Sequence, residues 1–274
     1  MTKTATPRPV TPISILAARL GALVDDAHAR GYDNPAFIES LVRACDIAAS
    51  LDPYLAAHTS PPSPALAELA AATADEDWGT RFTQADTGLA LEQEMLSGHI
   101  EGQTLKMLVA ATGARSVLEV GLFTGYSALA MAEGLPDDGR LVACEIDDFA
   151  ADFAARHFNA ARHGHKITIR RGPAADSLAQ LAAEDARFDF VFIDADKAGY
   201  IDYLHRIVDG LLAPNGLICV DNTLMQGEPY LNSAPSANGQ AIAAFNTAVM
   251  ADARLETVQL PLRDGLTLIR RVDD

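Results

Sequence analysis

The sequence predicts an α/β fold, a Rossmann-like doubly wound seven-stranded sheet that ends in an antiparallel hairpin and is preceded by a helical extension. Three observations predict it. Apolar, β-branched runs at Phe188–Ile193 and residues 217–220 stop abruptly at carboxylates, as buried parallel strands do at their functional edge. From Ser116 onward such runs alternate with helical stretches, the pattern of a doubly wound sheet. The first of them, Ser116–Val120, runs into Gly121 and Gly125, where a strand must turn sharply into a helix and leave room for a ligand against the backbone.

Taken in order, residues 1–12 are rich in Thr and Pro and read as a disordered tail. Residues 14–30 carry apolar side chains at Ile15, Leu16, Leu20, Leu23 and Val24, a helical stripe with Ser14 placed to cap it and Gly31 to end it. A second helix is expected over residues 34–49. The breaker cluster at 59–64 then gives way to Ala-rich helical segments that reach Thr112. Residues 13–90 therefore form a helical extension, and residues 91–274 the main domain. Further strands are expected at 141–145 and 167–170. Residues Leu255–Leu260 and Leu266–Arg271, joined by a turn-rich link at 261–265, predict the hairpin at the sheet edge.

Composition narrows the function. The chain has 274 residues, enough for one sizeable core with an appendage. Lys and Arg number 21 against 37 Asp and Glu, and a net charge of −16 repels phosphate backbones and anionic membranes, so neither nucleic acid nor membrane is expected as a partner. Cys45, Cys144 and Cys219 are an odd set, the last two inside apolar runs, which predicts buried free thiols and a cytoplasmic location. Neither a signal peptide nor a membrane span is indicated.

The chemistry-bearing residues lie at the strand ends. If the strands ending at Ile193 and Val220 are neighbours, Asp194, Asp221 and Asn222 converge, three hard oxygen donors suited to Mg²⁺, Mn²⁺ or Ca²⁺. Lys197 follows one turn later; the ion would lower its pKa and make it a base. Glu119 is an acid inside a strand, which needs a cationic or hydrogen-bonding partner. Glu145 ends the second strand where α/β folds place a ribose-binding carboxylate. The third glycine of the dinucleotide fingerprint is missing, which disfavours a nicotinamide dehydrogenase.

With these residues in place, the chain resembles the cation-dependent, class I S-adenosylmethionine (SAM) O-methyltransferases, the group of the catechol and caffeoyl-coenzyme A enzymes. The resemblance runs from about Leu91 to the C-terminus. It is carried by Glu101-Gly-Gln103, Glu119-Val-Gly-x-x-Thr-Gly-Tyr-Ser127, Leu135-Pro-Asp-Asp-Gly139, Asp194-Ala-Asp-Lys197 and Asp221-Asn-Thr223. It implies Asp194, Asp221 and Asn222 as metal ligands and Lys197 as the base. It also implies a cofactor site of Ser97, Glu119, Gly121, Phe123, Ser127, Glu145, Ile146, Ala174, Asp194 and Asp196. A narrower resemblance, in Leu51-Asp-Pro-Tyr-Leu55, Glu76-Asp-Trp78, Leu91 to His99 and Cys219 to Gly227, is to the O-methyltransferases of mycosporine biosynthesis. These are understood to convert 2-demethyl-4-deoxygadusol to 4-deoxygadusol. The segment Ser97-Gly-His-Ile100 departs from the caffeoyl-coenzyme A branch, so that branch's acceptor contacts are not carried over.

For a compact polar acceptor, His99, Gln226 and Tyr230 are candidate substrate contacts. Two rival readings are a methyltransferase acting on an aromatic vicinal diol and a non-catalytic SAM-binding protein. A homodimer is expected, with the N-terminal helices serving as a lid or an interface. His163 and His165 read as a solvated turn rather than a metal pair, Asp25-Asp26 and Asp75-Glu-Asp77 as solvated faces or helix starts, and Trp78 as a packing anchor.

Overall fold

The computed structural model describes residues 8–79, 91–231 and 235–272. Expectations for residues 1–7 and for helix over 80–90 fall outside this range. Helices α1 (Pro12–Ala29) and α2 (Pro35–Ala57) form a hairpin, and α3 (Pro64–Asp75) follows. The cap of α1 is Thr11, three residues earlier than expected. Pro12 takes the first helical position, where its missing N–H costs nothing, and Ser14 completes a capping box with Thr11. Asn34 caps α2 as its side chain predicts, but the helix continues through Pro53, which gives up one backbone bond without ending it.

Next come α4 (Gly98–Thr112), β1 (Ser116–Val120), α5 (Tyr126–Gly134), β2 (Arg140–Glu145), α6 (Asp148–Ala160) and β3 (Ile167–Arg171). The chain continues through α7 (Ala174–Ala183), β4 (Phe188–Ile193), α8 (Tyr200–Gly210), β5 (Leu212–Val220), α9 (Ala237–Ala251), β6 (Leu255–Leu260) and β7 (Leu266–Arg271). The sheet order is β3-β2-β1-β4-β5-β7-β6, parallel except for the antiparallel β7. Strand β5 starts five residues before the expected 217, and a register shift separates its two parts.

Alternate strand residues feed two cores, as the period of two requires. Val117, Phe190, Phe192 and Cys219 pack under α3 to α6, and Leu118, Val120, Val191, Ile193 and Val220 pack under α7 to α9. Leu66 and Leu69 of α3 are fully buried in the first of these cores, so α3 belongs to the main domain rather than to the extension. No residue of α1 is buried, and only Ala48 of α2 is. Residues 8–11, expected within a disordered tail, lie against the body: Arg8 pairs with Glu92 at 2.7 Å and Thr11 is buried. No described helix is long and apolar enough to cross a membrane.

Candidate active site

Register places the site. Val120 pairs with Ile193 and Ile193 with Val220, so Gly121, Asp194 and Asp221 stand side by side where β1, β4 and β5 end. The sheet order reverses at β1 and β4, the point at which open α/β sheets bind ligands. A cavity of about 650 Å³ opens there.

On one side of the cavity is the first turn. Gly121 has φ +93°, and a Cβ there would collide with the main-chain oxygen of Asp194. Phe123 holds a left-handed φ of +50°, backed by the Trp78 ring 4.9 Å away. Glu145 accepts the N–H groups of Leu122 (3.1 Å), Phe123 (2.7 Å) and Asp147 (2.8 Å), while burial raises its pKa against those bonds. The Ser127 hydroxyl donates to Glu119 at 2.5 Å, the other Glu119 oxygen is buried without a partner, and burial pushes this carboxyl well above its ordinary range. Asp196 accepts from Tyr203 OH (2.6 Å) and from Gly199 N–H (3.0 Å).

The other side carries the strand-end acids. Lys197 Nζ donates to Asn222 Oδ1 (2.6 Å), Tyr200 OH (2.7 Å) and Asp194 Oδ1 (3.0 Å). Tyr200 OH donates onward to the Asp221 carbonyl at 3.2 Å. Asn222 sits at φ +58°, a strained turn of the kind that aims a side chain at a functional site. Glu101 of α4 is almost wholly buried and neither of its carboxylate oxygens has a hydrogen-bond partner. Burial first, then the Asp221 charge, lifts its pKa well above normal; burial and Asp194 lift Asp221 to about 6.

Comparison with known proteins decides the family. The O-methyltransferase family pattern matches residues 64–272. This chain belongs to the O-methyltransferase family. Caffeoyl-CoA O-methyltransferase 2 of Zea mays is 39% identical over 216 residues, covering 76% of each chain. Among solved structures, the SAH-bound methyltransferase PaMTH1 of Podospora anserina superposes with a TM-score of 0.71 at 27% identity, covering 83% of this chain and 96% of that one. An O-methyltransferase from Bacillus cereus in complex with SAH gives 0.68 at 29%, covering 80% and 96%. The enzyme is accordingly of the SAM-dependent class.

In this methyltransferase the cavity wall includes Ser97, Gly121, Phe123, Ser127, Glu145, Ile146, Ala174, Asp194, Asp196, Lys197 and Asn222 from the expected set. Glu119 and Asp221 are buried behind it. Of the expected acceptor contacts only Gln226 lines the cavity. His99 instead turns toward the α2–α3 link, its Nε2 2.6 Å from the Ser60 carbonyl, and Tyr230 is 59% exposed outside the wall. The Lys197 environment is described by the protein groups alone. Burial lowers its pKa, but Tyr200 and Asp194 outweigh that and hold it above the ordinary lysine value, because both stand within hydrogen-bond reach.

Among the described residues no three His, Cys, Asp or Glu side chains are grouped as metal ligands. The candidate set is two carboxylates and an amide, all oxygen donors. Burial and the mutual repulsion of Glu101, Asp194 and Asp221 raise the pKa values of Glu101 and Asp221, with Arg263 as a counter-charge 3.6 Å from Glu101, and a divalent cation would relieve that repulsion, so the residues fit such an ion. Three residues of the site escaped the sequence reading. Arg263 and Asp264 fall in the turn-rich link between β6 and β7, and Tyr200 has no motif of its own in the sequence. An acid at position 101 inside an otherwise ordinary helix was the available signal for the buried charge. Elsewhere, Trp78 packs against Phe123 and Phe153 as anticipated, Cys144 and Cys219 are buried free thiols, and Asp75, the last residue of α3, is exposed to solvent, the first of the two expectations for that acidic run.

Proposed function

We propose that this enzyme transfers a methyl group from SAM to one hydroxyl of a vicinal enediol, 2-demethyl-4-deoxygadusol to 4-deoxygadusol, with a divalent cation held by Asp194, Asp221 and Asn222. The observation that carries the reading is the shared cavity, lined by Asp194, Asn222 and Lys197 at the strand ends and by the glycine turn with Glu145. Bound there, SAM supplies the methyl group for in-line displacement, and the cation lowers the pKa of the accepting hydroxyl. Glu119, Ser127, Glu145 and the turn amides bind and orient the cofactor. Lys197, fixed by Tyr200, Asp194 and Asn222, would take the hydroxyl's proton as the neutral amine that a neighbouring cation favours, and as the resulting ammonium would hold a positive charge beside the reacting oxygen. An enediol conjugated to a ketone is intrinsically more acidic than a catechol, so electrostatic support counts for more than proton removal. Alignment is the largest single contribution, worth about 7 to 11 kcal/mol in well-oriented systems.

The test is mass-detected methyl transfer to 2-demethyl-4-deoxygadusol, catechol and caffeoyl-coenzyme A, each with Mg²⁺ and with a chelator. Cation-dependent turnover of the cyclohexenone well above the aromatics supports the reading. Preference for caffeoyl-coenzyme A, the second reading favoured by the maize relative, removes the acceptor assignment and keeps the chemistry. The reading includes a homodimer, supported by the exposed apolar side chains Ile47, Tyr54 and Leu51 on α2. A monomeric mass in light scattering would remove it.

A further inference from the structure

Among the described residues, the cavity wall carries three cationic side chains, Arg8, Lys197 and Arg263. Two are committed. All three Lys197 N–H groups are used within the site, and Arg8 is paired with Glu92 at 2.7 Å. Arg263 is different. One of its amino groups donates to the Ser97 carbonyl, and its Nε makes an ion pair with Glu101 at 3.6 Å, too long to be a hydrogen bond. Among the described residues its Nε and second amino group make no hydrogen bond. Its side chain is only 27% exposed. Ser97 and Glu101, one helical turn apart, thus tether a guanidinium fork whose remaining donors are free for a bound molecule.

The backbone adds to this. Arg263 has φ +48°, a left-handed conformation that costs a long L side chain free energy and that glycine would take without strain. Its turn is pinned to the loop after β5: Leu224 N–H donates to the Asp264 carbonyl (2.8 Å), Thr223 N–H to the Gly265 carbonyl (3.1 Å), and Gln226 N–H to Asp264 Oδ1 (2.6 Å). Arg263 therefore stands on the segment bearing Asn222 and Gln226, beside the candidate cation ligands.

We propose that Arg263 is an acceptor-binding residue that selects vicinal diols bearing an additional anionic oxygen group, an enolate or a carboxylate, which its free N–H groups grip as a fork. This rests on the methyl-acceptor reading of the cavity. A planar guanidinium matches such a group in two-point geometry, and an ammonium does not.

Catechol and 3,4-dihydroxybenzoate present the same diol and differ by one carboxylate. Calorimetry would measure both on the full-length enzyme saturated with Mg²⁺ and S-adenosylhomocysteine, for wild type, Arg263→Gln and Arg263→Lys. Arg263→Gln should weaken 3,4-dihydroxybenzoate by about tenfold or more and catechol by less than about twofold, with Arg263→Lys between. Equal losses on both diols, no loss on either, or failure of the wild type to prefer the carboxylate would overturn the proposal. So would a loss of S-adenosylhomocysteine affinity with the diols unaffected, which would assign the fork to the methionine carboxylate. Turnover is read separately: selective binding without methyl transfer removes the proposed function and leaves the Arg263 assignment standing.

Discussion

A β-carbon at position 121 has nowhere to go, since the opposing atom is a main-chain oxygen at the end of β4 and the residue sits at φ +93°. Gly121→Ala should therefore destabilise the fold by about 1–3 kcal/mol from backbone strain alone, and S-adenosylhomocysteine binding should fall with it. Unchanged chemical denaturation would contradict this. Asp264 gives a pH-dependent case. Burial raises its pKa to about 7, so the native state holds the proton more tightly than the unfolded chain. The stability this provides is full below about pH 4 and is lost as pH rises through about 7. Asp264→Asn, which keeps the acceptor for Gln226, should melt higher than wild type at pH 8 and equally at pH 4. At the reacting oxygen, Lys197→Met should cost about a hundredfold in kcat with S-adenosylhomocysteine affinity retained; near-normal turnover would end its assigned role.

Among the elements, the N-terminal pieces divide by how they bury surface. The α1–α2 hairpin contributes one buried side chain, Ala48, whereas α3 places Leu66 and Leu69 in the core and leads to Trp78. A chain beginning at residue 62 is expected to fold with native circular dichroism; one beginning at residue 91 loses those anchors and is expected not to. Equal folding of both would refute the assignment of α3 to the main domain. Capping is a smaller effect: Thr11→Ala should cost about 1 kcal/mol locally, read as faster amide exchange in α1.

For the whole molecule, helices on both faces of the sheet seal its interior. Cys144 is buried, and burial pushes its thiol up to about 12; burial and then Glu101 hold Cys219 well above the ordinary thiol value, while Cys45 is only half-buried. A thiol reagent at neutral pH should therefore label one cysteine in the native enzyme and three in denaturant. Prompt labelling of all three would mean that the sheet is not sealed.

The sequence by itself determined the strands, the glycine turn and the acids at the strand ends, because apolar periodicity and turn chemistry are local properties. Four strand spans, Ser116–Val120, Phe188–Ile193, Leu255–Leu260 and Leu266–Arg271, coincide with those expected, and Asp194 and Asp221 lie on neighbouring strands as the pattern required. Only the tertiary structure decided what surrounds them. Arg263 meets Ser97 across 166 residues of chain, and Glu101 reaches the acids through the docking of α4. His99 turns away from the cavity because the α2–α3 link offers it the Ser60 carbonyl. Those encounters depend on strand order and on where the hairpin turn returns, and no local pattern encodes either.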